Sequence, residues 1–147
     1  MEGQDSTFPF IDAHAKTYNV RDNSQWTTLK QRLHERLDMS KNIILFLSKN
    51  TQNSRYLKEE IDYGINTNRL PVIVIYPDFK EKSDIFYSTE IKQQVKNLWD
   101  KLPIFRDNMD KVATLHIPYR KSLIESALKN DDFKVQTMTR ATRYYYN

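Results

Sequence analysis

Residues 36–65 read RLDMSKNIILFLSKNTQNSRYLKEEIDYGI, and the fold turns on how this stretch is parsed. Ile43-Ile44-Leu45-Phe46-Leu47 is an unbroken apolar run between polar flanks. Such a run predicts a strand buried on both faces, as in a parallel sheet. Ser48 to Ser54 (SKNTQNS) predicts a polar turn. From Arg55 to Asn68 a helix is predicted, with Leu57, Ile61 and Ile65 forming an apolar stripe at i, i+4 and i+8.

The same alternation extends both ways. Upstream, Trp26, Leu29, Leu33 and Leu37 fall at i, i+3, i+7 and i+11, which predicts a helix over 26–39 with Ser24 as its N-cap. Residues 12–25 are polar and aperiodic and read as a long loop. Phe8-Pro9-Phe10-Ile11 reads as a short strand that Pro9 pushes towards a sheet edge. Downstream, Val72 to Tyr76 is a second buried-type strand between Pro71 and Pro77. A helix is expected from Ser88 to Leu102, with Ile91, Val95, Leu98 and Trp99 on one side. Val112 to Ile117 is a weaker strand. Pro118 fits the first turn of a last helix whose apolar face is Leu123, Ile124, Ala127 and Leu128.

Residues 131–147 form a tail with no assignable pattern, and no linker or repeat divides the chain, so residues 1–147 read as one domain. Strands alternating with helices imply βαβ units and a three-layer α/β/α fold around a mostly parallel sheet. Ligands in such folds gather at the carboxyl ends of the strands. Here those ends are Asp12 to Arg21, Ser48 to Ser54 and Tyr76 to Lys80.

Composition narrows the chemistry. The 147 residues contain no cysteine, which removes disulfides, zinc ribbons and thiol nucleophiles. Gly3 and Gly64 are the only glycines, too few for a P-loop or a dinucleotide-binding glycine loop. His14, His34 and His116 are widely separated and show no metal-ligand spacing, so no metal site is expected. The net charge of +4 comes from 23 basic and 19 acidic residues. That mixture reads as a solvated surface rather than a nucleic-acid stripe. The N-terminus is polar and acidic, unlike a leader, and the apolar runs fall far short of the roughly 20 residues that span a bilayer. A cytoplasmic protein without membrane contact is the expectation.

The segment quoted first resembles the third strand and following helix of TIR domains. In that family a serine precedes the strand, the strand ends in Leu-Ser, and a Ser-x-aromatic-x3-Glu motif opens the helix. The matching residues are Ser40, Leu47, Ser48, Ser54, Tyr56 and Glu60. Upstream, FIDAHAKTYNVRD followed by LKQRLHERL looks like the TIR-like branch of bacterial defence proteins, to which Thoeris anti-phage systems contribute a member. The resemblance covers about residues 8–80. It implies a flavodoxin-like fold and NAD chemistry: cleavage between nicotinamide and ribose, with a cyclic ADP-ribose isomer as signal. NAD would be a substrate and no cofactor would be bound permanently. TIR–TIR contacts would give a homo-oligomer, and a downstream effector would sense the product.

The residue chemistry suits that reading. Nicotinamide in NAD is a cationic leaving group that departs neutral, so it needs no general acid. One carboxylate can support the oxocarbenium-like ribosyl cation that remains. Glu60 is the candidate, gripping the ribose hydroxyls and countering the developing charge. Cyclisation then needs only a hydroxyl of the same molecule nearby. Asp12, His14, Lys16, Tyr18 and Arg21 would line the substrate loop, with Lys16 and Arg21 towards the pyrophosphate and Tyr18 stacking on a base. Ser48 and Tyr56 complete the expected binding set. Each has a plainer reading. Glu60 near a helix start suits the dipole, the loop balances Arg21 against Asp22, and Tyr56 can be a packing aromatic. Glu59 is expected to point further towards solvent than Glu60. His34 and His116 read as structural. The RATRYYY segment at 140–146 reads as a terminal strand, an oligomer contact or a tail before it reads as a nucleic-acid site.

One departure from the TIR pattern stands out. The family has a strand and helix before the matched segment, and no counterpart is visible before Phe8. The chain is a fragment, or Phe8–Ile11 is itself the first strand, or another chain fills the gap. Two functional rivals also stay open. One is a non-catalytic signalling module, since fold does not fix function. The other is an enzyme like the nucleoside deoxyribosyltransferases, which also place a carboxylate at a ribosyl carbon.

Overall fold

The computed structural model describes residues 23–137 and 139–146. Phe8–Ile11 and most of the loop at 12–25, with Asp12, His14, Lys16, Tyr18 and Arg21, lie outside the described residues. Helix α1 (Asn23–Asp38) leads into strand β1 (Ile43–Phe46), then α2 (Arg55–Asp62) and a π-helical turn over Tyr63–Thr67. Strand β2 (Val72–Tyr76) is followed by a small antiparallel hairpin, β3 (Phe86–Tyr87) and β4 (Glu90–Ile91). Helices α3 (Gln93–Trp99) and α4 (Pro103–Asn108) precede β5 (Thr114–Pro118), α5 (Lys121–Lys129) and β6 (Arg143–Tyr145). The main sheet has the order β1-β2-β5-β6 and is parallel at every pairing. This is an α/β architecture around a parallel sheet, as the alternation implied, and it is consistent with the flavodoxin-like, TIR-like fold that the resemblance implied.

The apolar runs explain the layers. Successive side chains of a strand point to opposite faces. In β2, Val72, Val74 and Tyr76 join the core beneath α1, α2, α3 and α4, whereas Ile73 and Ile75 face α5. All five β2 residues are buried, which is why the segment reads VIVIY without a polar position. Trp26, Leu33 and Leu37 of α1 and Leu57, Ile61 and Ile65 of α2 and its extension are buried on the first face. Ile124 and Ala127 of α5 are buried on the second, with Leu123 and Leu128 packed beside them.

Several boundaries differ from expectation for local reasons. α1 already includes Ser24, which therefore does not stand outside the helix as its cap. The helix expected over Ser88–Leu102 begins only at Gln93, because Ser88, at φ 62°, turns the β3–β4 hairpin. Ile91 accordingly belongs to β4, and the Lys92 N–H donates to Ile85 O at 2.8 Å to close the hairpin's base. Pro103 then restarts the chain as α4, since proline disfavours helical backbone in the residue before it and is at home at N1. Pro118 ends β5 opposite Tyr76 instead of opening the last helix. The Thr114 N–H points to Thr142 O of the β6 segment, so position 118, four residues on, faces the same side. There β6 pairing has already ended at Tyr145, and a missing N–H costs no ladder bond. Part of the patternless tail forms β6, the terminal-strand reading of RATRYYY.

Beneath α3 runs a buried polar chain. Trp99 Nε1–H donates to Tyr76 Oη at 2.9 Å, and Tyr76 Oη lies 2.6 Å from His116 Nδ1. His116 Nε2 lies 2.8 Å from Thr114 Oγ1. The order that satisfies every atom has Tyr76 donating to Nδ1 and Nε2–H donating to Thr114. Burial, reinforced by the Arg143 cation, pulls the His116 pKa down to about 3. The ring is thus a neutral structural crosslink.

Gly64, in the π-helical turn, is needed for close approach. A Cβ there would run into the Ile43 Cδ1 methyl at the start of β1. Gly64→Ala is expected to cost about 1–2 kcal/mol, typical of overpacking. In thermal melts, adding Ile43→Val should relieve part of that loss; strict additivity of the two losses would refute the proposed clash.

Candidate active site

The motif serine has a structural task. Ser54, extended at φ −75° and ψ 157°, caps α2 by accepting the Leu57 N–H on its hydroxyl at 3.1 Å. That cap starts the helix in the register that sets Tyr56 and Glu60 one turn apart on one face. Both are buried, Glu60 with only 5% of its surface exposed. The face they share looks at α1. Arg36 Nη2 donates to Glu60 Oε2 at 3.3 Å and to Tyr56 Oη at 3.4 Å. Burial pushes the Tyr56 hydroxyl pKa up, opposed by the Arg36 charge, so the phenol stays protonated.

Around this triad α1 and α2 are fastened by further side chains. The Arg55 guanidinium lies 4.3 Å from the centre of the Trp26 ring. His34 Nε2 is 2.6 Å from Glu59 Oε2, and the His34 ring stacks on Tyr63 at 3.7 Å. Tyr63 Oη donates to Asp38 at 2.8 Å. Glu59 is therefore bonded, and its side chain, 21% exposed against 7% for Glu60, is the more solvent-facing of the two carboxylates, the order expected. Its neighbour Glu60 goes deeper because it lies closer to the stripe of Leu57 and Ile61.

Ser48 sits elsewhere in the constellation, at the carboxyl end of β1. Its hydroxyl accepts the Asn50 N–H at 3.1 Å, and its own N–H donates to Thr51 Oγ1 at 2.9 Å. The next N–H, of Lys49, donates to Asp78 Oδ2 at 2.8 Å and ties this turn to the loop after β2. Ser48 thus shapes the strand-end loop, whereas Tyr56, Glu60 and Arg36 form one contact group. Arg36 was not singled out in the sequence. It is 24 residues from Glu60, and no spacing rule links residues on two different helices. A cavity of about 470 Å³ opens at the other end of the sheet, walled by Leu115, Phe133 and Tyr144 among others, with neither Glu60 nor Tyr56 in its lining.

Residues 1–82 match the family described as the Thoeris protein ThsB, TIR-like domain. That is 82 of the chain's 147 residues, more than half, and the matched region contains α1, β1, the capped α2 and β2. The chain belongs to this family. The ThsB TIR-like match therefore spans both helices that build the Glu60 group, and it also includes the segment 12–22 on which the expected substrate loop falls. Among the described residues no helix is long and apolar enough to cross a membrane, and no three His, Asp or Glu side chains are grouped to hold a metal ion.

Proposed function

We propose that the chain is a TIR-type NAD-cleaving enzyme acting in anti-phage defence signalling. It releases nicotinamide and closes the remaining ADP-ribose into a cyclic signal that a downstream effector senses. Membership of the Thoeris ThsB TIR-like family supports the signalling role. The observation that carries the chemical reading is Glu60, a carboxylate with 5% exposure at the motif position. A buried anion is more effective beside a developing ribosyl cation than a hydrated one, because less water screens it. Tyr56, a protonated phenol one turn away, supplies a donor to a ribose oxygen. Lys16, Arg21 and Tyr18 remain the proposed contacts to the pyrophosphate and base, with Asp12, His14 and Ser48 completing the loop wall. TIR–TIR contacts would assemble the chain into a homo-oligomer.

A second reading rests on one contact. The Arg36–Glu60 pair also joins α1 to α2, as a structural ion pair would, and that favours a non-catalytic docking module. NAD consumption by the chain and by Glu60→Gln decides between them. Turnover that is lost with the substitution supports the enzyme. Equal turnover in both removes Glu60 from the chemistry, and no turnover in either favours the module.

A further inference from the structure

We propose that the cavity walled by Leu115, Phe133 and Tyr144 is a second small-molecule site, built for an organic monocation: a protonated amine on an apolar body. It shares no lining residue with Glu60 and Tyr56, so it stands whether or not the chain cleaves NAD.

The cavity measures about 470 Å³, inside the range of roughly 300–1,000 Å³ typical of small-molecule sites. Buried Leu115 of β5 gives it an apolar wall. Two further walls are aromatic. Phe133, from the turn after α5, and Tyr144 of β6 meet edge to face at 76°, with ring centres 5.3 Å apart. Rings set nearly at a right angle enclose a corner rather than a parallel-sided slot. The negative faces of such rings favour a cation over an anion.

The polar part of the lining points to the same charge. Asp132 is the sole charged side chain among the described residues that line the cavity. The cations nearby are matched to other carboxylates. Lys134 Nζ is 2.7 Å from Asp131 Oδ1, and Arg143 Nε is 3.6 Å from Asp110 Oδ1. Among the described residues no cation lies within ion-pair distance of the Asp132 carboxylate. The Asp132 backbone is pinned at both ends. Its N–H donates to Asn130 Oδ1 at 2.9 Å, and its carbonyl accepts the Thr137 hydroxyl at 3.2 Å. That second bond uses the Thr137 proton, and Tyr144 Oη gives its own to Arg140 O at 2.8 Å. Both hydroxyls therefore offer a ligand only lone pairs. An ammonium group has three N–H donors, one positive charge and no acceptor, which complements this set. Its charge answers Asp132, and its remaining protons have hydroxyl oxygens to meet. An anion would face a carboxylate with no lysine or arginine in the described lining, and a neutral ligand would leave that carboxylate unanswered. One unmatched carboxylate favours a single positive charge, hence a monoamine over a polyamine.

Phenethylamine, charged at neutral pH, and phenethyl alcohol, its neutral counterpart of similar shape, are the probes. Each is titrated into the isotope-labelled chain, and amide shifts in NMR spectra report both affinity and location. The amine should bind about tenfold more tightly than the alcohol, with shifts centred on Leu115, Phe133, Thr137 and Tyr144. Asp132→Asn should weaken the amine about tenfold and leave the alcohol unchanged. That variant should fold, because the two bonds that pin Asp132 come from its backbone. Asp132→Glu keeps the charge and should keep the preference for the amine. Equal affinity for amine and alcohol overturns the proposal, as does the absence of a saturable shift with the amine. Shifts centred away from the cavity, or an Asp132→Asn variant that binds the amine like the native chain, overturn it equally. None of these outcomes bears on NAD cleavage by the Glu60 group, and loss of the enzymatic reading would leave this site in place.

Discussion

Glu60→Gln is expected to slow NAD cleavage by about 100- to 1,000-fold, the loss typical of removing one preorganised group that answers developing charge. The substitution keeps the shape and one carbonyl acceptor, and deletes the negative charge. Ground-state contacts to the ribose hydroxyls survive in part, so the loss should appear mainly in kcat, with KM changing little. The fold should tolerate the change. Arg36 is half-exposed and can hydrate, while Leu57, Ile61 and Ile65 still anchor α2. A shift of only a few degrees in the melting temperature is therefore expected beside a loss of turnover of at least two orders of magnitude. A variant that turns over at the native rate would show that the buried carboxylate only ties α1 to α2. Ser54→Ala makes a useful companion. It removes the cap of α2 without touching the carboxylate, at about 1 kcal/mol. Any rate loss it shows measures how far the position of Glu60, rather than its charge, controls the reaction.

What could be read in advance follows from the range of the interactions. The run at Val72 is a strand buried at every residue, and local sequence records that directly; in the run at Ile43 the expected burial on both faces holds on one face only, since Ile43 and Leu45 are buried while Ile44 and Phe46 are partly buried. The stripes on α1 and α2 are equally local. The break between α3 and the hairpin is less visible, because it depends on Ser88 adopting a positive φ that serine seldom takes. β6 is hidden for a different reason. Arg143–Tyr145 becomes a strand by pairing with Thr114–His116, about thirty residues away, and no alternation marks it. The same distinction divides the site. Tyr56 and Glu60 are legible together because a capped helix fixes their spacing. Arg36 joins them only through packing of two helices, and Glu59 finds His34 in the same way.

Acidification should expose the other large effect, through His116. In the folded chain this imidazole binds a proton only near pH 3, held neutral by burial and by the Arg143 charge. In the unfolded chain it binds one near pH 6.5. Between those values unfolding takes up a proton, so lowering the pH favours the unfolded state. The contribution is fully present above pH 6.5 and falls by about 1.4 kcal/mol per pH unit below it. By pH 5, above the range where most carboxylates titrate, the native chain should have lost about 2 kcal/mol from this residue alone. His116→Leu should remove that slope. It should also lower stability at pH 7.5, because Tyr76 Oη and Thr114 Oγ1 each lose a buried partner at about 1–3 kcal/mol apiece. Urea unfolding at pH 7.5, 6.5, 6.0, 5.5 and 5.0 separates the two effects. A native chain and a His116→Leu variant that lose stability in parallel over this interval would refute a neutral, buried His116. A variant with a lower but flatter profile would establish that the ring linking β2, β5 and α3 is held without charge, and that its protonation destabilises the fold.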